Sequence, residues 1–244
     1  MLLYYITDRR QFSGTDAEQR RALLTRIGEA ARAGVDYIQL REKDLPAAAL
    51  EQLARAAMQV VREGGGAARL LVNSRTDVAL AAGADGVHLT STDISASDAR
   101  AIADRASRGS SAPARTLLVA VSCHSVDEVR MAESHGADFV VLAPIFEKPG
   151  TTSPSIGLTT LASAAAGAPA MPRVEAGENR ARVSILALGG VTTDNACDCV
   201  RAGAAGVAGV RLFQQGDVAD TVRRLRELRK SEPPDVRLEN RDLR

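Results

Sequence analysis

The chain is short of several things that would point away from a compact soluble enzyme. Its three cysteines, Cys123, Cys197 and Cys199, are odd in number, and the Cys-Asp-Cys pair lacks the spacing of a zinc or redox site, so all three read as buried thiols. No apolar run approaches the ~20 residues of a membrane span. The opening MLLYYITDRR lacks the basic, apolar and small-residue succession of a signal peptide, and the expected location is the cytoplasm. Net charge is missing too. Thirty-one basic and 30 acidic residues leave +1, spread evenly, which argues against nucleic acid or a membrane surface as partner. The glycine pair of ALGGVTTDN has no G-x-G-x-x-G context, so a dinucleotide fold gains little from it.

What the chain does have is hydrophobic alternation on the scale of whole elements. Hydrophobic residues make up 45% of 244 positions, enough for a large core without staples. Short β-rich runs occupy 2–7, 37–40, 69–73, 86–89, 116–122, 139–145, 183–188 and 206–210. Most are continuously apolar, as strands covered on both faces of a parallel sheet must be. Between them lie segments such as AEQRRALLTRIGEAARAG and VADTVRRLRELRK, whose apolar positions recur at helical spacing. Eight such units predict a (β/α)8 TIM barrel rather than an open doubly wound sheet.

An internal echo supports that fold. ARAGVDYIQL, AAGADGVHL, ESHGADFVVL and RAGAAGVAGV each close a helix with glycine and enter a strand, which is fold punctuation without chemistry. The reading gives one domain over 1–230, with an insertion loop at 166–182 and a frayed tail at 231–244.

In a parallel barrel, catalysis belongs at the carboxyl ends of the strands. Those positions hold Thr7, Asp8 and Arg9; Gln39, Arg41 and Lys43; Asn73 and Ser74; His88 and Asp93; Ser122 and His124; Lys148 to Thr152; Gly189 and Gly190; and Arg211. Singly, each has a plain structural meaning. REKD reads as a solvated turn, Ser74 as the N-cap of a helix beginning near Arg75, and HLTSTD as a turn with a cap. Cys123 and His124 are neighbours on a strand and point to opposite faces, so they make no dyad. Jointly they outline a site for an anionic ligand, because the side chains donate hydrogen bonds and a bare Gly-Gly backbone lets an anion approach.

YYITDRR, YIQLREKD, LLVNSRTDVALAAGADGVHL, VSCHSVDEVRMAESHGADFVVLAPIF, LALGGVTTDN and AGAAGVAGV together resemble the successive motifs of the thiamine phosphate synthase family, in order over roughly residues 4–213. The resemblance implies a barrel enzyme that joins a hydroxymethylpyrimidine diphosphate to a thiazole phosphate, releasing pyrophosphate with the help of Mg2+. It puts Gln39, Arg41 and Lys43 on the diphosphate substrate with Asn73 and Ser122 beside them, and makes Arg41, Lys43 and Ser122 the catalytic set. It assigns Asp93 to the metal and Gly190, Val210 and Arg211 to the thiazole phosphate. The partners implied are phosphorylated small molecules, with room for a homo-oligomer.

The departures are specific. After Asn73 the family places a second metal-binding Asp, and here Ser74 stands, a neutral ligand that is poorer for Mg2+. The family's Thr-x-Thr-Lys becomes Lys148-Pro149-Gly150-Thr151, which keeps Lys148 and Thr151 as substrate-binding candidates with the cation displaced. A related branch, the thiazole tautomerases, is expected to carry a catalytic His where Pro144 lies. Two alternatives therefore stand beside the synthase: a tautomerase-like enzyme, and a non-catalytic barrel that binds thiamine intermediates.

Overall fold

A computed structural model describes residues 1–65, 67–108, 116–147, 154–166 and 183–228. The eight strands are β1 (Leu2–Ile6), β2 (Tyr37–Leu40), β3 (Arg69–Asn73), β4 (Gly86–Leu89), β5 (Leu118–Cys123), β6 (Phe139–Leu142), β7 (Ser184–Ala187) and β8 (Gly206–Gly209). All pair in parallel in sequence order, and β8 closes on β1. The helices that return the chain include α1 (Asp16–Ala33), α2 (Ala47–Glu63), α3 (Thr76–Ala82), α4 (Ala96–Ser107), α5 (Val126–Ser134), α6 (Gly157–Ala166), α7 (Ala196–Arg201), α8 (Arg211–Gln214) and α9 (Val218–Leu228). Of the expected insertion, only Ala166 is described, as the end of α6; residues 167–182 and the tail at 231–244 lie outside the described residues.

The predicted barrel and its strand order are observed, with strand ends shifted. β6 stops at Leu142 rather than 145, because Pro144 has no amide to extend a ladder. β5 starts at Leu118, two residues late.

Two apolar layers explain why the runs are continuous rather than alternating. Outward positions such as Leu3, Ile38, Leu40, Leu70 and Val72 join the helix faces in one large cluster. Inward positions, Tyr4, Ile6, Leu71, Ala120, Phe139, Val141, Leu186 and Ala208, form a second cluster within the barrel. Each fully buried Leu or Ile contributes about 1.5–3 kcal/mol by burial. Surface ion pairs contribute ~1 kcal/mol or less apiece, so the two apolar layers carry the fold.

Aromatic residues are only 3% of the chain, yet three of them meet inside the barrel. Tyr37 stacks on Phe139 at 4.6 Å, and Tyr4 meets both rings edge-on at 5.9 and 5.4 Å.

The glycine-containing echo has a second function. Gly34 ends α1 with φ 93°, a left-handed turn that costs glycine nothing. Two residues on, Asp36 accepts the amide of Leu3 at 2.7 Å, while Asp85 accepts that of Leu70 at 2.9 Å and Asp138 that of Val119 at 2.7 Å. Each aspartate precedes an even-numbered strand and ties down the odd-numbered strand before it. In the fourth copy Ala205 has no carboxylate, and only its carbonyl reaches across, accepting from Leu2 on β1 at 2.9 Å as those of Asp36 and Asp85 accept from Arg69 and Leu118.

Strands this close leave no room for a side chain at two glycines. A Cβ on Gly206 would stand 2.0 Å from the Leu2 carbonyl oxygen, and one on Gly86 2.3 Å from that of Leu118. Gly206→Ala and Gly86→Ala should each destabilise the protein by about 1–3 kcal/mol or more. Urea unfolding followed by far-UV circular dichroism measures this, since the chain has no tryptophan; wild-type midpoints would refute the packing described.

Candidate active site

The REKD segment divides by residue. Glu42 and Asp44 turn toward Arg9, whose guanidinium donates to Glu42 Oε2 at 3.1 Å and spans both oxygens of Asp44 at 2.6 Å. Arg9 also donates through Nε to Asp16 at 2.9 Å, and the Arg9 amide and the Thr7 hydroxyl donate to Glu42 at 3.2 and 2.7 Å. Arg9 is 4% exposed and Glu42 likewise 4%. The clamp binds the ends of β1 and β2 to the start of α1. Hydrogen bonding to Arg9 holds the Asp44 carboxyl well below the usual carboxylate range. Burial pushes that of Glu42 up, against the opposing pull of Thr7 and Arg9.

With both carboxylates engaged, Arg41 and Lys43 face no ion-pair partner among the described residues. The Arg41 amide donates to Thr7 Oγ1 at 3.0 Å, which fixes where the backbone leaves β2.

Gln39, Asn73, His88 and Ser122 follow the inward parity of Tyr37, Leu71, Gly86 and Ala120. They form a polar layer above the apolar interior. Gln39 Nε2 donates to Asn73 Oδ1 at 3.1 Å, and Asn73 Nδ2 donates to Ser74 Oγ at 3.0 Å. His88 lies 3.0 Å from the Tyr4 hydroxyl through Nδ1 and 2.8 Å from Ser122 Oγ through Nε2. Burial, then the nearby charge of Arg41, pushes the His88 pKa down to about 3, with Asp93 opposing. His88 is therefore neutral at physiological pH, and it joins the polar layer although the sequence reading placed it at a strand end without giving it a role.

Ser74 does not cap α3 as expected. It occupies the left-handed region at φ 59°, and Arg75 takes the cap position without a side-chain bond. A left-handed turn swings the hydroxyl back to Asn73, which is why a helix start in the sequence is a ligand-side turn in space. Asp93 Oδ2 accepts the Thr90 amide at 2.7 Å. Among the described residues no group of three His, Cys, Asp or Glu side chains could enclose a metal ion. One carboxylate and a neutral hydroxyl fit Mg2+ only as a companion of a phosphorylated ligand, the way Mg2+ is often held.

After β7, Gly189 and Gly190 press against the β6 loop. A Cβ on Gly190 would lie 2.7 Å from Phe146 Cβ and 2.9 Å from the Glu147 carbonyl oxygen, and its φ of 66° suits glycine. Asn195 anchors the turn by donating to the Gly190 carbonyl at 3.0 Å. Val210 and Arg211 sit where β8 passes into α8, with Arg211 exposed. Lys148 and Thr151 lie outside the described residues. Cys123 and Cys199 are buried, and burial pushes both thiols up to about 12. Cys197, expected to be buried as well, is only half-buried because it sits on the flank of α7 next to Asp198. His124 turns away from Cys123, its Nδ1 2.8 Å from the Ala143 carbonyl oxygen.

A groove of about 470 Å3 beside α1 and the turn before α9 competes for attention, but its Arg26 is already engaged by Glu29 and the Gly216 carbonyl. No helix among the described residues is long and apolar enough to cross a membrane.

Fold and rim together define a class: a (β/α)8 barrel whose carboxyl mouth carries a glycine turn and two cations without ion-pair partners among the described residues. A family model described as thiamine monophosphate synthase matches residues 3–213, and the chain belongs to that family. A Geobacter sulfurreducens relative is 39% identical over 207 residues, covering 84% of this chain and 83% of that one. The thiamine-phosphate synthase of Roseiflexus castenholzii is 37% identical over 209 residues, covering 85% and 78%. Among solved structures, the thiamine phosphate pyrophosphorylase from Pyrococcus furiosus superposes with a TM-score of 0.71 at 27% identity, over 94% of this chain and 95% of its own.

Two outcomes test the clamp. Glu42→Ala should cost about 3 kcal/mol, since it takes one partner from a buried guanidinium, and Glu42→Gln should cost less by keeping an acceptor. Equal stability of Glu42→Ala and wild type in urea would contradict the clamp. Asp44 has a depressed carboxyl in the folded state, so its contribution is present above the unfolded value of ~3.9 and is lost as pH falls below it. Acid unfolding of Asp44→Asn should accordingly show a shallower pH dependence below about pH 4 than wild type.

Proposed function

We propose that this chain is a thiamine phosphate synthase, a transferase joining 4-amino-2-methyl-5-(diphosphooxymethyl)pyrimidine to a thiazole phosphate with release of pyrophosphate. The observation that carries the reading is the pair of cations, Arg41 and Lys43, without an ion-pair partner among the described residues, on the strand-end segment whose carboxylates the Arg9 clamp engages. Family membership supports the same reaction.

The chemistry suits the residues. As the pyrimidine methylene carbon loses its bond to the diphosphate oxygen, negative charge grows on the leaving group, and fixed cations there lower the barrier. The thiazole nitrogen then forms the new carbon–nitrogen bond. No protein nucleophile is required, in keeping with protonated thiols at Cys123 and Cys199 and a neutral His88. In this reading Gln39, Asn73 and Ser122 hold the pyrimidine substrate beside Arg41 and Lys43. Gly190 with the backbone at Val210 and Arg211 receives the thiazole phosphate.

Asp93 and Ser74 are the residues that would hold Mg2+, which when bound adds positive charge to the departing diphosphate. Soluble phosphorylated substrates suit a cytoplasmic enzyme, and assembly into a homo-oligomer is part of the proposal. A tautomerase-like role gains nothing here, because Pro144 offers no proton acceptor on its side chain.

Arg41→Ala should lower pyrophosphate release by on the order of 10²-fold, and Arg41→Lys should also be impaired because a point charge cannot reproduce a two-pronged donor. Unchanged rates would reduce REKD to a polar turn. For the metal, calorimetric titration should find Mg2+ binding weak alone and stronger with the pyrimidine diphosphate. Asp93→Asn should abolish the Mg2+ dependence of turnover by abolishing turnover. Ser74→Asp, whose left-handed backbone Asp tolerates, should tighten Mg2+. Turnover indifferent to both Mg2+ and Asp93 would overturn the metal assignment.

A further inference from the structure

We propose that His88 is a positioning residue, held by Tyr4 in the tautomer that carries its proton on Nε2, so that Ser122 presents its own hydroxyl proton to the ligand at the mouth. The inference rests on the reading of Ser122 as a substrate-side residue and adds two residues that never touch the substrate.

The argument is an account of protons. Tyr4, His88 and Ser122 form one row from the barrel interior to the end of β5, with contacts of 3.0 and 2.8 Å. Three protons belong to the row: one phenolic, one on the neutral imidazole and one on the serine hydroxyl. If the Tyr4 hydroxyl donates to His88 Nδ1, then Nε2–H donates to Ser122 Oγ, and the serine proton is left pointing outward. In the reverse order Nδ1–H donates to Tyr4, and Ser122 donates inward to Nε2. The phenolic proton then has no acceptor, because His88 is the only hydrogen-bond partner of the Tyr4 hydroxyl among the described residues.

Tyr4 is fully buried between Tyr37 and Phe139, so its hydroxyl is withdrawn from bulk water. Leaving a buried donor unmade favours the first order by about tenfold or more. Burial also keeps the phenol protonated by raising its pKa, and the imidazole stays neutral as described above. The row therefore has one direction, and its open end is a half-buried hydroxyl at the mouth. Such a hydroxyl donates to an acceptor on the ligand, a ring nitrogen or a phosphate oxygen, where the reverse order would offer only lone pairs.

The chain contains its own reference. His124 Nδ1 faces a carbonyl oxygen, which only accepts, so His124 carries its proton on Nδ1. Long-range 1H–15N spectra of the 15N-histidine-labelled full chain, which holds three histidines, read the rings directly, and His88→Gln and His124→Gln assign the signals of those two. The expected result is an Nε2–H pattern for His88, unchanged from pH 5 to 9 and opposite to that of His124. An Nδ1–H pattern, or titration of His88 in that range, would overturn the proposal. Tyr4→Phe should convert His88 to a mixture of tautomers and lower kcat by about tenfold, with KM changed less. A single Nε2–H pattern in Tyr4→Phe would mean that Tyr4 does not set the order. His88→Gln can place an amide N–H near the lost Nε2, so it should keep more turnover than His88→Leu. Equal losses in the two would count against positioning through that donor. The spectra need no turnover, so an inactive wild-type chain with the expected His88 pattern would fault the synthase reading alone.

Discussion

The buried Arg9 guanidinium is the constraint on which the mouth depends. Four charged residues in a row, Arg41 to Asp44, sum to zero in the sequence and would present a mixed surface to any anion. Arg9 sorts them in space. By drawing Glu42 and Asp44 to itself, it removes two carboxylates from the neighbourhood of a phosphorylated ligand and leaves two cations behind. An arginine at the end of β1 thus sets the field at the end of β2 without facing the ligand itself. The arrangement tolerates burial because the guanidinium meets three carboxylates, while Glu42 fills its remaining acceptor capacity with the Thr7 hydroxyl and the Arg9 amide.

The interior of the barrel grades from one chemistry to another along the same strands. Tyr4, Tyr37 and Phe139 pack ring against ring, Leu71, Ala120 and Val141 continue the apolar column, and Gln39, Asn73, His88 and Ser122 end it. Period-two alternation makes this grading possible, because residues two apart on one strand share a face but differ in height. Tyr37 and Gln39, or Leu71 and Asn73, are successive steps on one such ladder.

Much of this was legible in the chain, and what was not has a common cause. Strands covered on both faces read as short unbroken apolar runs, so all eight were visible together with the shared end at which their polar residues fall. Arg41, Asn73 and Ser122 were visible for the same reason. The partner of Glu42 was not, since Arg9 lies 33 positions away and both read as rim charges. The aspartates Asp36, Asp85 and Asp138 looked like turn residues because their task, binding the amide of the preceding strand, exists only once the strands are side by side. Ser74 looked like a helix cap because composition carries no sign of φ. His88 was seen on its strand but not given a role, since its two hydrogen-bond partners lie 84 and 34 positions away.

The aromatic cluster has one more consequence, for traffic. Three interlocked rings and the aliphatic column above them stop the barrel from being a pore, so it is a cup with a single doorway. Whatever enters must leave by the route it came.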